Sequence, residues 1–281
     1  LDEKPHQTIS RKESKNMKVF IGTDLEGVAG VTTFYVQTSP DGPGYPTSCK
    51  LLTLEINAAV EGFIEAGADE ILVDDGHGPG GIIYELLHPK ATYIGGRPKA
   101  PMGIQNKYTS DADVTVMIGQ HAMAGTPDGN LCHTQNSRTV ESYVLNGKPI
   151  GEIAQWVLYH GAQGVPTIFL SGDRAACREI DELIPGIVTA ETKIGLAKNS
   201  AICLSKEASR ELIREKAKLA LRQFIEKPVK PISWPGPYVL DKTYFTVEIA
   251  DQVEKNNPRA LRIAPRTIRI KGDSIMDVIY A

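Results

Sequence analysis

Apolar stretches at residues 18–23, 70–74, 114–119 and 166–170 recur along the chain, separated by polar loops and by segments of helical periodicity. Strands this apolar are buried on both faces, and strands joined through helices pair in parallel. The chain is therefore expected to be α/β: a mostly parallel, twisted sheet with helices on both faces, plus a smaller α+β carboxyl-terminal domain. Its 281 residues, 41% of them apolar, suffice for a substantial core.

Thr47 is expected to cap a helix that runs to Ala66, and residues 82–87 and 91–94 read as a short helix and a strand. Residues 138–145 alternate and meet Asn146-Gly147, a strong hairpin signal, with Lys148-Pro149-Ile150 returning. Gly151 opens a helix that carries Glu152 in its first turn, and Asp173 caps another that ends near Ile184. Beyond Pro185 the texture changes. A strand at 188–193, an amphipathic helix at 205–226, a proline-rich connector at 228–237, strands at 238–248 and 262–270 and a short final helix are expected. Three segments follow: an extension at 1–16, an α/β metal-binding catalytic domain at 17–186, and a smaller α+β domain at 187–281 that serves assembly or the substrate pocket.

A net charge of -3 and scattered Lys and Arg residues argue against nucleic acid as a partner. No apolar run reaches the roughly 18 to 20 residues of a membrane-spanning helix, so no membrane partner is expected. The polar residues 1–16 precede Met17, and the chain starts with Leu1. A cytoplasmic protein is expected, with a processed exported form as the alternative. Cys49, Cys132, Cys177 and Cys203 include no C-x-x-C pair and read as free thiols. Cys177 and Cys203 are expected in the core, while Cys132, beside His133, is a conceivable nucleophile.

Chemistry concentrates where strands end. Asp24 and Glu26 form D-x-E after the first strand, and residues two apart on extended chain point the same way. His77 follows Asp74-Asp75-Gly76, with Asp75 placed to orient its ring; His121 follows the strand at 114–119. Carboxylates and imidazoles gathered from several segments are what a divalent cation such as zinc requires, so Asp24, Glu26, His77, His121 and Glu152 are the expected metal ligands. Each has a structural alternative as a helix cap, a solvated turn or a satisfied loop histidine. His133, in a loop rich in glycine and proline, is read as catalytic, because a histidine can exchange a proton near neutral pH. His88 and His160 are expected to be structural, and His6 belongs to the extension. Gly76-x-Gly78-x-x-Gly81 satisfies a dinucleotide fingerprint only formally, although Arg97 further on could favour a 2′-phosphate.

The segments Thr23-Asp24-Leu25-Glu26-Gly27-Val28-Ala29-Gly30, Asp74-Asp75-Gly76-His77, Gly119-Gln120-His121-Ala122, His133 and Asn146-Gly147-Lys148-Pro149-Ile150-Gly151-Glu152 together resemble the D-aminopeptidase family of binuclear zinc peptidases. The likeness runs from about Met17 to Ile270. It implies two zinc ions per chain, bridged by Asp24, with Glu26 and His77 completing one ion and His121 and Glu152 the other, and His133 as the catalytic histidine. It further implies a zinc-dependent aminopeptidase that cleaves amino-terminal residues, D-amino acids among them, from short peptides by way of a metal-bridged hydroxide. Small peptides are then the substrates and a ring-like homodecamer the assembly. The alternatives are another binuclear hydrolase, an amidase or phosphoesterase, and a non-catalytic metal-binding scaffold.

Overall fold

The computed structural model describes residues 16–281, so the expected extension, His6 included, lies outside the described residues except for Asn16. β1 (Lys18–Thr23) is buried along nearly its whole length and pairs in parallel on both sides, which is why its sequence is a continuous apolar run. It is followed by α1 (Phe34–Thr38) and α2 (Tyr45–Ala66), then β2 (Glu70–Asp74), β3 (Ala91–Ile94), α3 (Met102–Thr109) and β4 (Val114–Gln120). A hairpin of β5 (Val140–Leu145) and β6 (Lys148–Ile150) leads into α4 (Glu152–Gly161), β7 (Thr167–Asp173) and α5 (Arg174–Leu183). Next come β8 (Val188–Ala197), β9 (Ser200–Cys203) and α6 (Lys206–Glu226). The chain closes with β10 (Tyr238–Tyr244), α7 (Val247–Asn256), β11 (Leu261–Ala264), β12 (Thr267–Gly272) and α8 (Ile275–Val278).

Two sheets result. The first has seven strands in the order β3-β2-β1-β4-β7-β8-β9, parallel except for the β8–β9 hairpin. The second has five antiparallel strands in the order β11-β12-β10-β5-β6. Both sheets draw on residues from either side of position 186: β8, β9 and α6 join the first layer, and β5 and β6 the second.

Successive residues of the parallel strands feed opposite faces. Val19 and Ile21 pack with Leu52, Ile56 and Phe63 of α2 and with Ile213, Ala217 and Leu221 of α6. Met117 and Leu170 point the other way, against Ile153 and Val157 of α4 and Ile180 of α5. A second stripe of α4, Ala154 and Leu158, enters the core under the second sheet beside Leu240 and Ile268. Each of the larger side chains among these contributes roughly 1.5 to 3 kcal/mol on burial, so α4 is fixed from two sides and holds Glu152, its first residue, in place.

Several expectations are corrected in detail. The long helix begins at Tyr45 behind Gly44, with Thr47 inside its first turn rather than capping it. The segment 82–87 is a single 3-10 turn at Tyr84–Leu86. The strand expected over 238–248 stops at Tyr244, because the Thr246 side chain accepts from the Ile249 N–H and starts α7. The strand expected over 262–270 is a hairpin of β11 and β12. Cys203 is half-buried in β9 rather than a core residue. All four cysteines are free. Among the described residues no helix is long and apolar enough to cross a membrane.

Candidate active site

From β1 the chain moves to β2 on one side, while β4 on the other side leads away to β7. The crevice beyond the carboxyl ends of β1 and β4 is thus a topological switch point, where sheets of this kind place their chemistry. Asp24 and Glu26 follow β1, His77 follows β2 and His121 follows β4. The Asp24 and Gly27 N–H groups donate to the carbonyls of Ile118 and Gly119 at 2.8 and 2.7 Å, which ties the D-x-E turn to the end of β4. Only glycines allow this approach: a Cβ on Gly27 would sit 2.0 Å from the Gln120 carbonyl oxygen, and one on Gly119 2.1 Å from that of Asp24.

All six side chains nominated from the sequence converge. His77 Nδ1 lies 3.2 Å from Asp24 Oδ1 and 3.0 Å from Glu26 Oε2. His121 Nε2 lies 3.1 Å from Asp24 Oδ2 and 3.5 Å from Glu152 Oε1. His133 Nε2 is 3.7 Å from Glu152 Oε1, and its ring stacks on that of His121 at 4.0 Å. Asp24 thus turns one oxygen to each of two imidazoles. Asp24, Glu26, His77 and His121 are buried, whereas His133 and Glu152 are partly exposed to a cavity of about 650 Å³.

The outer nitrogen of each of these three histidines meets a backbone carbonyl. His77 Nε2 is 2.9 Å from Thr38 O, His121 Nδ1 2.9 Å from Ala122 O, and His133 Nδ1 3.0 Å from Leu131 O. Donation there fixes each ring's orientation and, in the neutral form, leaves the lone pair on the inner nitrogen, the usual support of metal-binding imidazoles. Among the described residues, two atoms at the centre of the cluster, Glu26 Oε2 and His121 Nε2, are buried without a hydrogen bond. Among the described residues no Lys or Arg pairs with Asp24, Glu26 or Glu152. Three carboxylates packed against imidazoles call for positive charge between them. Burial works to raise the pKa of Asp24, yet His121 and His77 hold it well below the carboxylate range. Burial likewise opposes charge on His77 and His121, but Glu26, Glu152 and Asp24 raise both well above the ordinary histidine value. An oxygen and nitrogen donor set with orphaned lone pairs fits a cation such as zinc.

Other residues complete the surroundings. The Gln135 N–H donates to Glu152 Oε1 at 2.6 Å. Lys193, fully buried on β8, donates to the carbonyls of Glu26 and Val31 and, at 2.8 Å, to Asn130 Oδ1. Asp75 does not orient His77 as expected. Its carboxylate accepts from the Gly81 N–H at 2.9 and 3.1 Å, and the Thr38 carbonyl accepts from the imidazole instead. The dinucleotide reading of Gly76-x-Gly78-x-x-Gly81 ends there too: Asp75 fills the turn, and Arg97 donates to the carbonyls of Asp75, His77 and Gly78. The Cys132 thiol contacts Thr126 O, and His88 pairs with Glu61. His160 lines the cavity. Thr38, Lys193 and Gln135 were not legible as site residues, since two act through or upon backbone and a lysine in a strand is ordinarily exposed.

The whole chain has relatives. A D-aminopeptidase of Bacillus subtilis (strain 168) is 29% identical over 268 residues, covering 94% of this chain and 95% of that protein. The solved structure described as the Zn-dependent D-aminopeptidase DppA from Bacillus subtilis, a self-compartmentalizing protease, superposes with a TM-score of 0.85 at 26% identity, covering 94% of each chain. The D-aminopeptidase family model matches residues 17–281, and the chain belongs to that family.

Proposed function

We propose that the protein is a zinc-dependent aminopeptidase that releases amino-terminal residues, D-amino acids in particular, from short peptides. The observation that carries this reading is the convergence of Asp24, Glu26, His77, His121, Glu152 and His133, with Glu26 Oε2 and His121 Nε2 left without partners. Asp24 would be shared between two zinc ions, Glu26 and His77 holding one, His121 and Glu152 the other. Zinc bound there supplies a Lewis acid and lowers the pKa of water toward neutrality.

The chain's own residues supply the rest. Asp24, with one oxygen toward each imidazole, keeps the two ligand sets at a fixed separation. His133 stands at the cavity side of Glu152, where its Nε2, after accepting a proton from the attacking water, can hand it to the departing amine or, while protonated, steady the developing oxyanion. The hydrogen bond from its Nδ1 to Leu131 O keeps that nitrogen facing inward. A cavity of about 650 Å³ suits a short peptide rather than a folded chain. By analogy with the self-compartmentalizing relative, the protein works as a homo-oligomer, a ring-like homodecamer being the assembly proposed.

A panel of D- and L-aminoacyl amides, short peptides and phosphate esters, presented to zinc-loaded protein, tests the reading. Release of amino-terminal D-residues is the expected result. Activity confined to phosphate esters, or to amides without a free α-amine, would reject it in favour of another hydrolase.

A further inference from the structure

The cavity continues past the carboxylate and imidazole cluster to Trp156 and His160, which have no part in the scheme above. Glu152, Trp156 and His160 are spaced four apart, so they stack along one face of α4, about 5.4 Å per turn. Phe20 stacks on the indole at 5.2 Å, His160 packs against it at 4.3 Å, and Tyr280 joins the lining. Gly22 of β1 admits the ring, since a Cβ there would lie 2.5 Å from Trp156 Cη2.

Among the described residues, two polar atoms of this apolar wall have no partner: Trp156 Nε1 and His160 Nδ1 are buried without a hydrogen bond. The indole nitrogen can only donate. His160 is 3% exposed, and burial pushes its pKa down to about 3, so the ring is neutral at physiological pH. With Trp156 and Tyr280 in front and the buried Phe20 and His160 behind, the wall offers an apolar side chain an aromatic surface.

We propose that Trp156 and Tyr280, backed by the buried Phe20 and His160, form the subsite that selects the substrate's amino-terminal residue, taking an apolar side chain larger than methyl. The inference rests on the aminopeptidase reading and names the substrate class within it.

Trp156 and Trp234 are the two tryptophans of the chain, so Trp234→Phe protein reports on Trp156 alone. Zinc-loaded protein is titrated with D-alanine and D-leucine, released residues that offer nothing to cleave, by fluorescence and by calorimetry. D-leucine is expected to bind about tenfold more tightly than D-alanine and to shift the Trp156 emission. Trp156→Ala should erase the preference. Trp156→Phe, which keeps an aromatic ring at the wall, should retain the preference. The proposal is overturned by an unchanged preference in Trp156→Ala, by a silent Trp156 under saturating D-leucine, or by no binding to the unsubstituted chain. Turnover of D-leucine amide and D-alanine amide is measured alongside: binding as described with no cleavage of either amide would sink the aminopeptidase reading and leave the subsite standing.

Discussion

Asp24 Oδ2 stands 3.1 Å from His121 Nε2, yet no hydrogen bond joins them. The imidazole's other nitrogen meets the Ala122 carbonyl, so in the neutral form of the ring two lone pairs face each other in a buried site. Such a pairing is unfavourable by itself and becomes favourable around a cation. The same logic applies to Glu26 Oε2 opposite His77, whose outer nitrogen is engaged by Thr38.

His133 touches Glu152 from the cavity side while its ring rests on His121. His133→Ala is expected to lower kcat by on the order of 10² to 10⁴ while leaving zinc content intact, as read by steady-state kinetics with elemental analysis. Full activity in the variant would remove the catalytic role.

Gly119 combines a φ of +76° with a Cβ position 2.1 Å from the Asp24 carbonyl oxygen. Gly119→Ala should destabilise the fold by at least about 1 to 3 kcal/mol and weaken zinc binding together, because the strain falls on the turn that presents Asp24 and Glu26. Chemical denaturation and chelator competition would read the two effects.

Lys193 holds the turn after Glu26 and the Asn130 loop through three acceptors. Lys193→Met keeps most of the volume and removes the donors, at a cost of about 1 to 3 kcal/mol for each buried acceptor left unpaired. Slower exchange of backbone amides near Glu26 in the variant than in the parent protein would contradict this.

Glu55 joins the Ala29 N–H to Ser209 on α6, and burial raises its pKa from 4.5 to about 7. The folded state therefore binds its proton more tightly than the unfolded state does. The associated stability is complete below the unfolded value of 4.5 and is lost as pH rises through about 7. Across that window the loss approaches roughly 3 kcal/mol. Glu55→Gln should flatten the corresponding part of the pH profile of the denaturation midpoint; an unaltered profile would refute the assignment.

The parallel strands were legible because burial on both faces leaves a continuous apolar run, and the acidic and histidine residues at their ends stood out against it. α1 was not: five residues, Phe-Tyr-Val-Gln-Thr, with no side-chain cap, look like strand or loop, yet the helix ends on the Thr38 carbonyl that fixes His77. Any residue type can supply a carbonyl, so no sequence signal marks Thr38. α7 did carry a signal, the Thr246 cap, which the alternation of the preceding strand obscured. Lys193 was illegible for a different reason: its burial depends on acceptors that two separate loops bring together.

Metal stoichiometry is the most direct test of the shared-carboxylate site. After zinc reconstitution and gel filtration, elemental analysis should give close to two ions per chain, about one after Glu26→Ala or His77→Ala, and about none after Asp24→Ala. Fewer than one ion per chain in the unsubstituted protein, or an unchanged count in Asp24→Ala, would contradict the account.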